Sequence, residues 1–235
     1  NDIYNDDEVV KHLTLALIKK GVHVFQIWKK GHSDMEHCQW LLELAKFPLN
    51  ASVLDIGCGI GGVALRMNEI RPDLRFSLLN VSESQLEMCP WKYAHHLDDI
   101  DTLQSVANEV FDAAMVCYAL GHVKELETFF HNAARVLKPG GMLFVYDIQA
   151  LKGWEGWMLD TLGYKTYTAG QIAKVILNGR LFGTMEIVEA VKDEVLNCQE
   201  FLGVTTPEGP DVCTRTKPVA YRFIKIDSTC AAQPI

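Results

Sequence analysis

An apolar run, Ser52-Val53-Leu54-Asp55-Ile56, passes directly into Gly57-Cys58-Gly59-Ile60-Gly61-Gly62 and then into the helical pattern Val63-Ala64-Leu65-Arg66-Met67. Few arrangements accommodate such a stretch. Four glycines in six residues remove Cβ atoms where the backbone turns sharply, permit positive φ, and let a ligand approach the main chain. A strand, a glycine turn and a helix in that order form the nucleotide crevice at the carboxyl edge of an open α/β sheet. Gly57, Gly59 and Gly62 also satisfy G-x-G-x-x-G, so a nicotinamide or flavin enzyme competes, although that pattern alone is weak. Asp55, two residues before the first glycine, discriminates: a buried carboxylate there fixes the loop or receives a cationic ligand group.

From Ser52 onward, strand and helix patterns alternate, which predicts parallel β-α-β units with right-handed crossovers. Strands are expected at 52–56, 75–79, 93–97, 113–118, 142–147, 185–191 and 220–226. Helices are expected at 62–70, 83–89, 103–106, 126–137 and 169–181. Before residue 50 the periodicity is helical: Val9, Val10, Leu13, Leu17 and Ile18 share one face, and Trp40, Leu41, Leu44 and Ala45 another. Lys138-Pro139-Gly140-Gly141 reads as the turn that ends the helix preceding the fifth strand.

Asp55 with the glycine turn, Phe111-Asp112, and Ala134-Arg135-Val136-Leu137-Lys138-Pro139-Gly140-Gly141-Met142-Leu143 together resemble the class I methyltransferases that use S-adenosylmethionine. The resemblance covers 52–147 well and continues less specifically through 171–191. It implies an α/β fold: a Rossmann-like, seven-stranded, mostly parallel sheet with helices on both faces, plus an N-terminal helical lid. Residues 1–50 are read as the lid, and 51–235 as the cofactor-binding core with substrate-side additions around 150–170 and 193–217. The chain is accordingly expected to be an enzyme that moves a methyl group from S-adenosylmethionine to a small-molecule acceptor.

The resemblance also implies a site. Asp55, Gly57, Cys58, Gly59 and Gly61 would surround the amino-acid end of the cofactor. The second strand of the family ends in an acid for the ribose hydroxyls, but here Asn80 stands in its place, followed by Val81. Ser82-x-x-Gln85 is similar to a subgroup containing cyclopropane fatty acid synthases, sterol C-methyltransferases and prenyl diphosphate C-methyltransferases, in which the Gln helps hold the ribose. Ser82 reads equally as a helix N-cap. For adenine, Asp99 is preferred as the acceptor for the exocyclic amine, with Ile100 supplying a backbone amide; Asp101 competes with Asp99 for the role. Cys117-Tyr118-Ala119-Leu120-Gly121-His122 would face the transferable methyl, with His122 as a general base and Tyr118 orienting substrate or meeting the sulfonium through its ring. A Glu often implicated in C-methylating relatives is absent here. Tyr4, His23, Trp28, His32 and His37 in the lid, and Trp154, Trp157, Tyr164 and Tyr167 after the fifth strand, are candidate walls of an apolar acceptor site.

Composition narrows the partners. At 235 residues with 49% apolar and 22% charged content the chain suits one soluble α/β domain with additions. Its net charge of −8, without a dense Lys/Arg block, argues against a nucleic-acid substrate. An Asn-Pro-Pro-Tyr or Asp-Pro-Pro-Tyr segment after the fourth strand is likewise missing. No apolar run is long enough to span a bilayer, no leader is visible, and stable membrane insertion is not expected. Seven cysteines without a CxxC pair read as reduced thiols of a cytoplasmic protein, and no metal site is expected. Self-association is left open. A polar acceptor and a non-catalytic cofactor-binding protein are the alternatives.

Overall fold

The computed structural model describes residues 6–188, 191, 196–198 and 212–227. Seven strands form one sheet: β2 (Ser52–Ile56), β3 (Arg75–Asn80), β4 (Ala94–Leu97), β5 (Phe111–Cys117), β6 (Leu137–Ala150), β7 (Phe182–Ile187) and β9 (Thr216–Lys225), in the order β4-β3-β2-β5-β6-β9-β7. Strands β2 to β6 pair in parallel, and β9 runs antiparallel to both β6 and β7. Chain order reverses between β2 and β5, and such a switch point opens a crevice at the carboxyl edge of the strands.

Burial explains the continuous apolar strands. Neighbouring residues point to opposite faces, and both faces are covered. Val53, Phe76, Phe144 and Tyr146 pack beneath α2 (Asp34–Ala45) and α3 (Gly62–Ile70) through Trp40, Leu41 and Met67. Leu54, Ile56, Val145 and Phe223 pack on the other side against Phe129 and Phe130 of α5 (Leu126–Val136) and Ile172 of α7 (Ala169–Gly179). Burying each such large side chain contributes about 1.5–3 kcal/mol. Local chemistry sets the helix starts: Ser33 with Glu36 and Thr168 with Gln171 form capping boxes at α2 and α7.

Before the sheet the chain forms α1 (Asp7–Lys19), an extended segment through residue 27, strand β1 (Trp28–Lys30) and α2, which packs into the core. β1 pairs antiparallel with β8 (Leu196–Cys198) in a separate two-stranded sheet. Neither β1 nor α6 (Glu155–Leu162) has a clear sequence signal. The expected helix at 103–106 is instead a run of turns with Leu103 at φ 46°, outside helical space. The edge strand expected at 185–191 lies three residues earlier, as β7, and residues 189–190 fall outside the described set. Lys138-Pro139-Gly140-Gly141 is not a helix end. α5 stops at Val136, and these four residues bulge out of β6 between the pairs Phe111↔Leu137 and Ala113↔Met142. Lys138 Nζ reaches Asp112 Oδ1 (2.7 Å), and Asp112 Oδ2 accepts from Ser52 N and Oγ (2.9 and 2.6 Å), tying the strands together at the edge away from the crevice.

Cys38, Cys58, Cys89 and Cys117 are free thiols, whereas Cys213, in α8 (Val212–Arg215), is disulfide-bonded. The expectation of uniformly reduced cysteines is therefore corrected; local spacing reveals CxxC pairs but not bridges made by the fold. Among the described residues, no helix is long and apolar enough to cross a membrane.

Candidate cofactor and acceptor site

A cleft enclosing about 1050 Å³, including solvent at its mouth, lies over the carboxyl ends of β2, β3 and β5. Its floor is the glycine turn. Gly57, Gly59 and Gly61 adopt φ of 74°, 57° and 72°, a region that side chains with a Cβ rarely occupy. A Cβ on Gly57 would stand 2.5 Å from Cβ of Ala119, and one on Gly62 would stand 1.9 Å from the carbonyl oxygen of His23, where the lid crosses the turn. Gly57 N and Cys58 N both donate to Leu79 O (2.8 and 3.0 Å), and Gly61 N to Cys58 O (2.9 Å). These amides therefore hold the loop, and the turn's gift to a ligand is close approach. Gly57, Cys58 and Gly59 line the cleft; Gly61 lies behind it, against Leu78 and Cys89.

Asp55 is buried on β2 between Leu78 and Met115 of the flanking strands, beneath the cleft rather than on its wall. Its Oδ2 makes no hydrogen bond. Burial alone pushes its carboxyl up to about 8, because removing a charge from water disfavours the ionised form. A neighbouring thiol, Cys89, and burial together push the Cys58 thiol well up, so Cys58 acts as a small apolar filler.

At the end of β3 the polar groups satisfy one another. Asn80 Oδ1 accepts from Val81 N (2.8 Å) and Ser82 N (3.4 Å), while Nδ2 donates to Gly59 O (3.1 Å) and Gln85 Oε1 (2.8 Å). Gln85 Nε2 donates to Thr14 Oγ1 of α1 (2.9 Å). Ser82 caps α4 (Glu83–Glu87) by accepting from Gln85 N (3.2 Å), and its hydroxyl donates to Asp7 Oδ1 (2.6 Å). Asp7 also accepts from Ser84 N (3.2 Å) and Oγ (3.0 Å). Ser82-x-x-Gln85 is thus the dock for the lid helix. Asn80, Val81 and Gln85 line the cleft; Ser82 does not.

The two acids after β4 face different ways. Asp101 turns away and holds the segment leading into α5, accepting from Lys124 N (3.1 Å) and Glu125 N (3.3 Å). Asp99 and Ile100 line the cleft. Lys124 Nζ lies 2.8 Å from Asp99 Oδ2; burial opposes ionisation of Asp99, but Lys124 and the Asp101 amide outweigh it and hold the carboxyl below its usual range.

Cys117, Tyr118 and His122 form the opposite wall. Tyr118, at φ 58°, accepts from Trp28 N at its hydroxyl (2.8 Å), while Tyr146 Oη donates to Trp28 O (2.7 Å). Its hydroxyl therefore pins β1, its ring packs against Tyr146 at 5.5 Å, and the residue contributes to the cleft lining. His122 sits in a single helical turn, Leu120–His122, edge-on to Tyr164 at 4.9 Å. Tyr164 Oη donates to Asp147 Oδ1 (2.6 Å), and Asp147 Oδ2 accepts from Leu120 N (3.0 Å). Gly121 is obligatory here, since a Cβ would meet the Tyr164 ring at 2.2 Å.

Of the lid candidates, His23 lines the cleft, joined by Phe25 and Gln26, which carry no motif. Trp28 and His37 brace it from behind, and His32 bonds Glu36; Tyr4 lies outside the described residues. Among the second aromatic group, Tyr164 and Tyr167 bond inward to Asp147 and Val123 O. Trp154 and Trp157 stack on the Arg215 guanidinium, at 3.5 and 4.3 Å, away from the cleft.

Residues 54–145 match the family model described as a methyltransferase domain. With the strand order and the glycine cradle, this match gives residues 54–145 the character of a methyltransferase domain, similar to those of the class I S-adenosylmethionine-dependent enzymes. Over 121 residues it is 31% identical to a sterol 4-C-methyltransferase of Caenorhabditis elegans (48% of this chain, 35% of that protein). Over 163 residues it is 28% identical to a demethylmenaquinone methyltransferase of Leptospira interrogans (63% and 64%). The chain thus spans about a third to two thirds of the length of these relatives. Among solved structures, the [4+2]-cyclase SpnF shares the fold with TM-score 0.67 at 17% identity, covering 91% of this chain and 93% of that one. Geranyl diphosphate C-methyltransferase from Streptomyces coelicolor does so with TM-score 0.61 at 11% identity (80% and 75%).

Proposed function

We propose that this protein transfers the methyl group of S-adenosylmethionine to a carbon, nitrogen or oxygen of a small, apolar, prenyl- or lipid-like molecule. The observation that carries this reading is the glycine cradle at the switch point: Gly57, Gly59 and Gly61 hold positive φ, a Cβ on Gly57 would stand 2.5 Å from Ala119, and the turn follows a strand that buries Asp55. That pairing suits a ligand with a close-packed thioether chain and an ammonium group. Gly57 to Gly59 would hold the amino-acid end, Asn80 and Val81 the ribose edge, and Asp99 with Ile100 the adenine. When bound, the cofactor supplies a methyl on an already activated sulfonium, so the chain's task is alignment, for which effective molarities of about 10⁵ M or more are available.

Tyr118 provides a fixed ring face because its hydroxyl is held by Trp28 N, and His122 stands ready as a base for acceptors that must lose a proton. The sterol, quinone and prenyl substrates in the names of the relatives, together with the apolar wall of Phe25, Ile60 and Val63, support an apolar acceptor. A nucleic-acid partner is not part of the reading. Nor does the Cys213 disulfide favour the reducing cytoplasm that the cysteine spacing implied; thiol counting on the unreduced protein settles that point.

Calorimetry with S-adenosylmethionine tests the cofactor: micromolar binding is expected, and NAD binding in its place overturns the reading. Release of S-adenosylhomocysteine on adding sterol, quinol or prenyl acceptors tests the transfer. A second reading, pericyclic or other non-transfer chemistry on the same scaffold, is favoured by the extent of the match to a cyclase; it predicts cofactor binding with no product homocysteine derivative.

A further inference from the structure

Gln26 lies in the extended lid segment, 1% exposed, and contributes to the cleft wall. Its two amide ends differ sharply. Oε1 is bonded to His37 Nε2, whereas Nε2 is enclosed and has no oxygen or nitrogen partner, only the Cys117 sulfur beside it. The assignment of the two ends follows from His37. Its Nδ1 accepts from Lys30 N (3.0 Å), so that nitrogen carries a lone pair. Burial, reinforced by the Lys29 ammonium, lowers the imidazole to about 3, so the ring is neutral at physiological pH and its proton resides on Nε2. A donating Nε2 requires an oxygen opposite, which fixes Gln26 with Oε1 toward His37 and the NH₂ group toward Cys117. That thiol is neutral because burial raises it far above its usual range, and it is at most a weak acceptor. The N-terminal segment therefore presents a buried donor whose neighbour in the protein is a weak acceptor, the Cys117 thiol.

The place of this donor identifies its ligand. Cys117 ends β5 one step beyond the pair Ile56↔Val116, opposite Gly57. The NH₂ group thus stands over the β2–β5 seam, above the glycine turn. Among the described residues, the lysines and arginines lining the cleft reduce to Lys124, which is engaged with Asp99 at the other end. An anionic ligand group at the seam must be met by neutral donors.

Resting on the cofactor reading above, we infer that Gln26 is the side chain that donates to the α-carboxylate of S-adenosylmethionine, with His37 as the positioning residue that turns its amide. His37 touches no ligand; it acts by occupying the oxygen that would otherwise repel the carboxylate.

The test compares S-adenosylhomocysteine with 5′-methylthioadenosine, which keeps adenosine and sulfur but lacks the amino-acid group, by calorimetry on the whole chain. Gln26→Leu is expected to weaken S-adenosylhomocysteine about 10- to 100-fold, the range for a hydrogen bond to a charged group, while 5′-methylthioadenosine changes less than about twofold. Gln26→Glu, which offers only acceptors, loses at least as much. His37→Phe shifts the ratio of the two affinities in the same direction; a purely structural lesion lowers both together and leaves the ratio alone. Parallel loss of both ligands, or unchanged S-adenosylhomocysteine binding in folded Gln26 variants, overturns the assignment while the cofactor reading stands. Failure of the unaltered protein to bind either ligand overturns both.

Discussion

The two ends of the cleft are built on opposite principles. At the β2–β5 seam, Asp55 Oδ2 and Gln26 Nε2 are buried with no partner better than a thiol, and four of the six residues of the turn are glycine. Around the end of β3, Asn80 uses both amide atoms, Gln85 bridges Asn80 to Thr14, and Ser82 holds Asp7. Buried polar groups are ordinarily satisfied, and each exception asks for an explanation. On the proposed cofactor reading, the polar groups of the seam are reserved for ligand atoms. The β3 end is complete without a ligand; it offers a surface of fixed shape, and its hydrogen bonds clamp the lid.

The strongest way to break this contrast is Gly57→Val. Strained φ and a clash with Ala119 act together, so cofactor binding is expected to vanish in calorimetry; a folded variant that still binds would remove the cradle from the argument. Next, His122→Ala is expected to lower turnover about 100-fold if the acceptor must be deprotonated, with cofactor affinity within about twofold, a split read from kcat against binding. Asn80→Asp sharpens the β3 end. The new carboxylate would face Gly59 O and Gln85 Oε1, both acceptors, so the family's usual acid is expected to destabilise this protein by about 1–3 kcal/mol, measured by denaturant unfolding.

Asp55→Asn tests the seam through pH. A carboxyl raised to about 8 when folded, against about 3.9 unfolded, binds its proton more tightly in the native state. Stability from this group is full below about pH 4 and is lost as pH rises toward 8, at up to about 1.4 kcal/mol per unit. The ligand-free protein should melt at lower temperature as pH increases through that window, and Asp55→Asn should flatten the slope. Burial also raises Asp147, to about 6, so the difference between the two proteins, rather than either curve, is the informative quantity.

The sheet was legible because its strands are buried on both faces and announce themselves as apolar runs, and the glycine turn because glycine adopts its left-handed dihedral angles at least cost. Other features depend on distance in sequence. Nothing local marks Asp7 as the partner of Ser82, 75 positions away, or distinguishes Gln26 from any surface glutamine. The family's second-strand position pointed to the ribose, whereas Asn80, Ser82 and Gln85 serve the lid's attachment as well. Lys138-Pro139-Gly140-Gly141 has turn chemistry in either setting, and only the pairing register shows that it bulges from β6. The aromatic residues after β6 suggested a pocket by composition, but Trp154 and Trp157 enclose Arg215.

Trp28 is pinned by Tyr118 and Tyr146, 90 and 118 residues further along, and His23 lies against Gly62. A chain emerging from the ribosome therefore makes the roof of its cleft long before the walls that secure it. Residues 23–28 gain their full set of contacts only once β5 and β6 have been synthesised and paired, so closure of the roof belongs among the last events of folding. Such late, non-local contacts are slow to form, and the ability to bind cofactor should lag behind the appearance of the sheet in a refolding experiment.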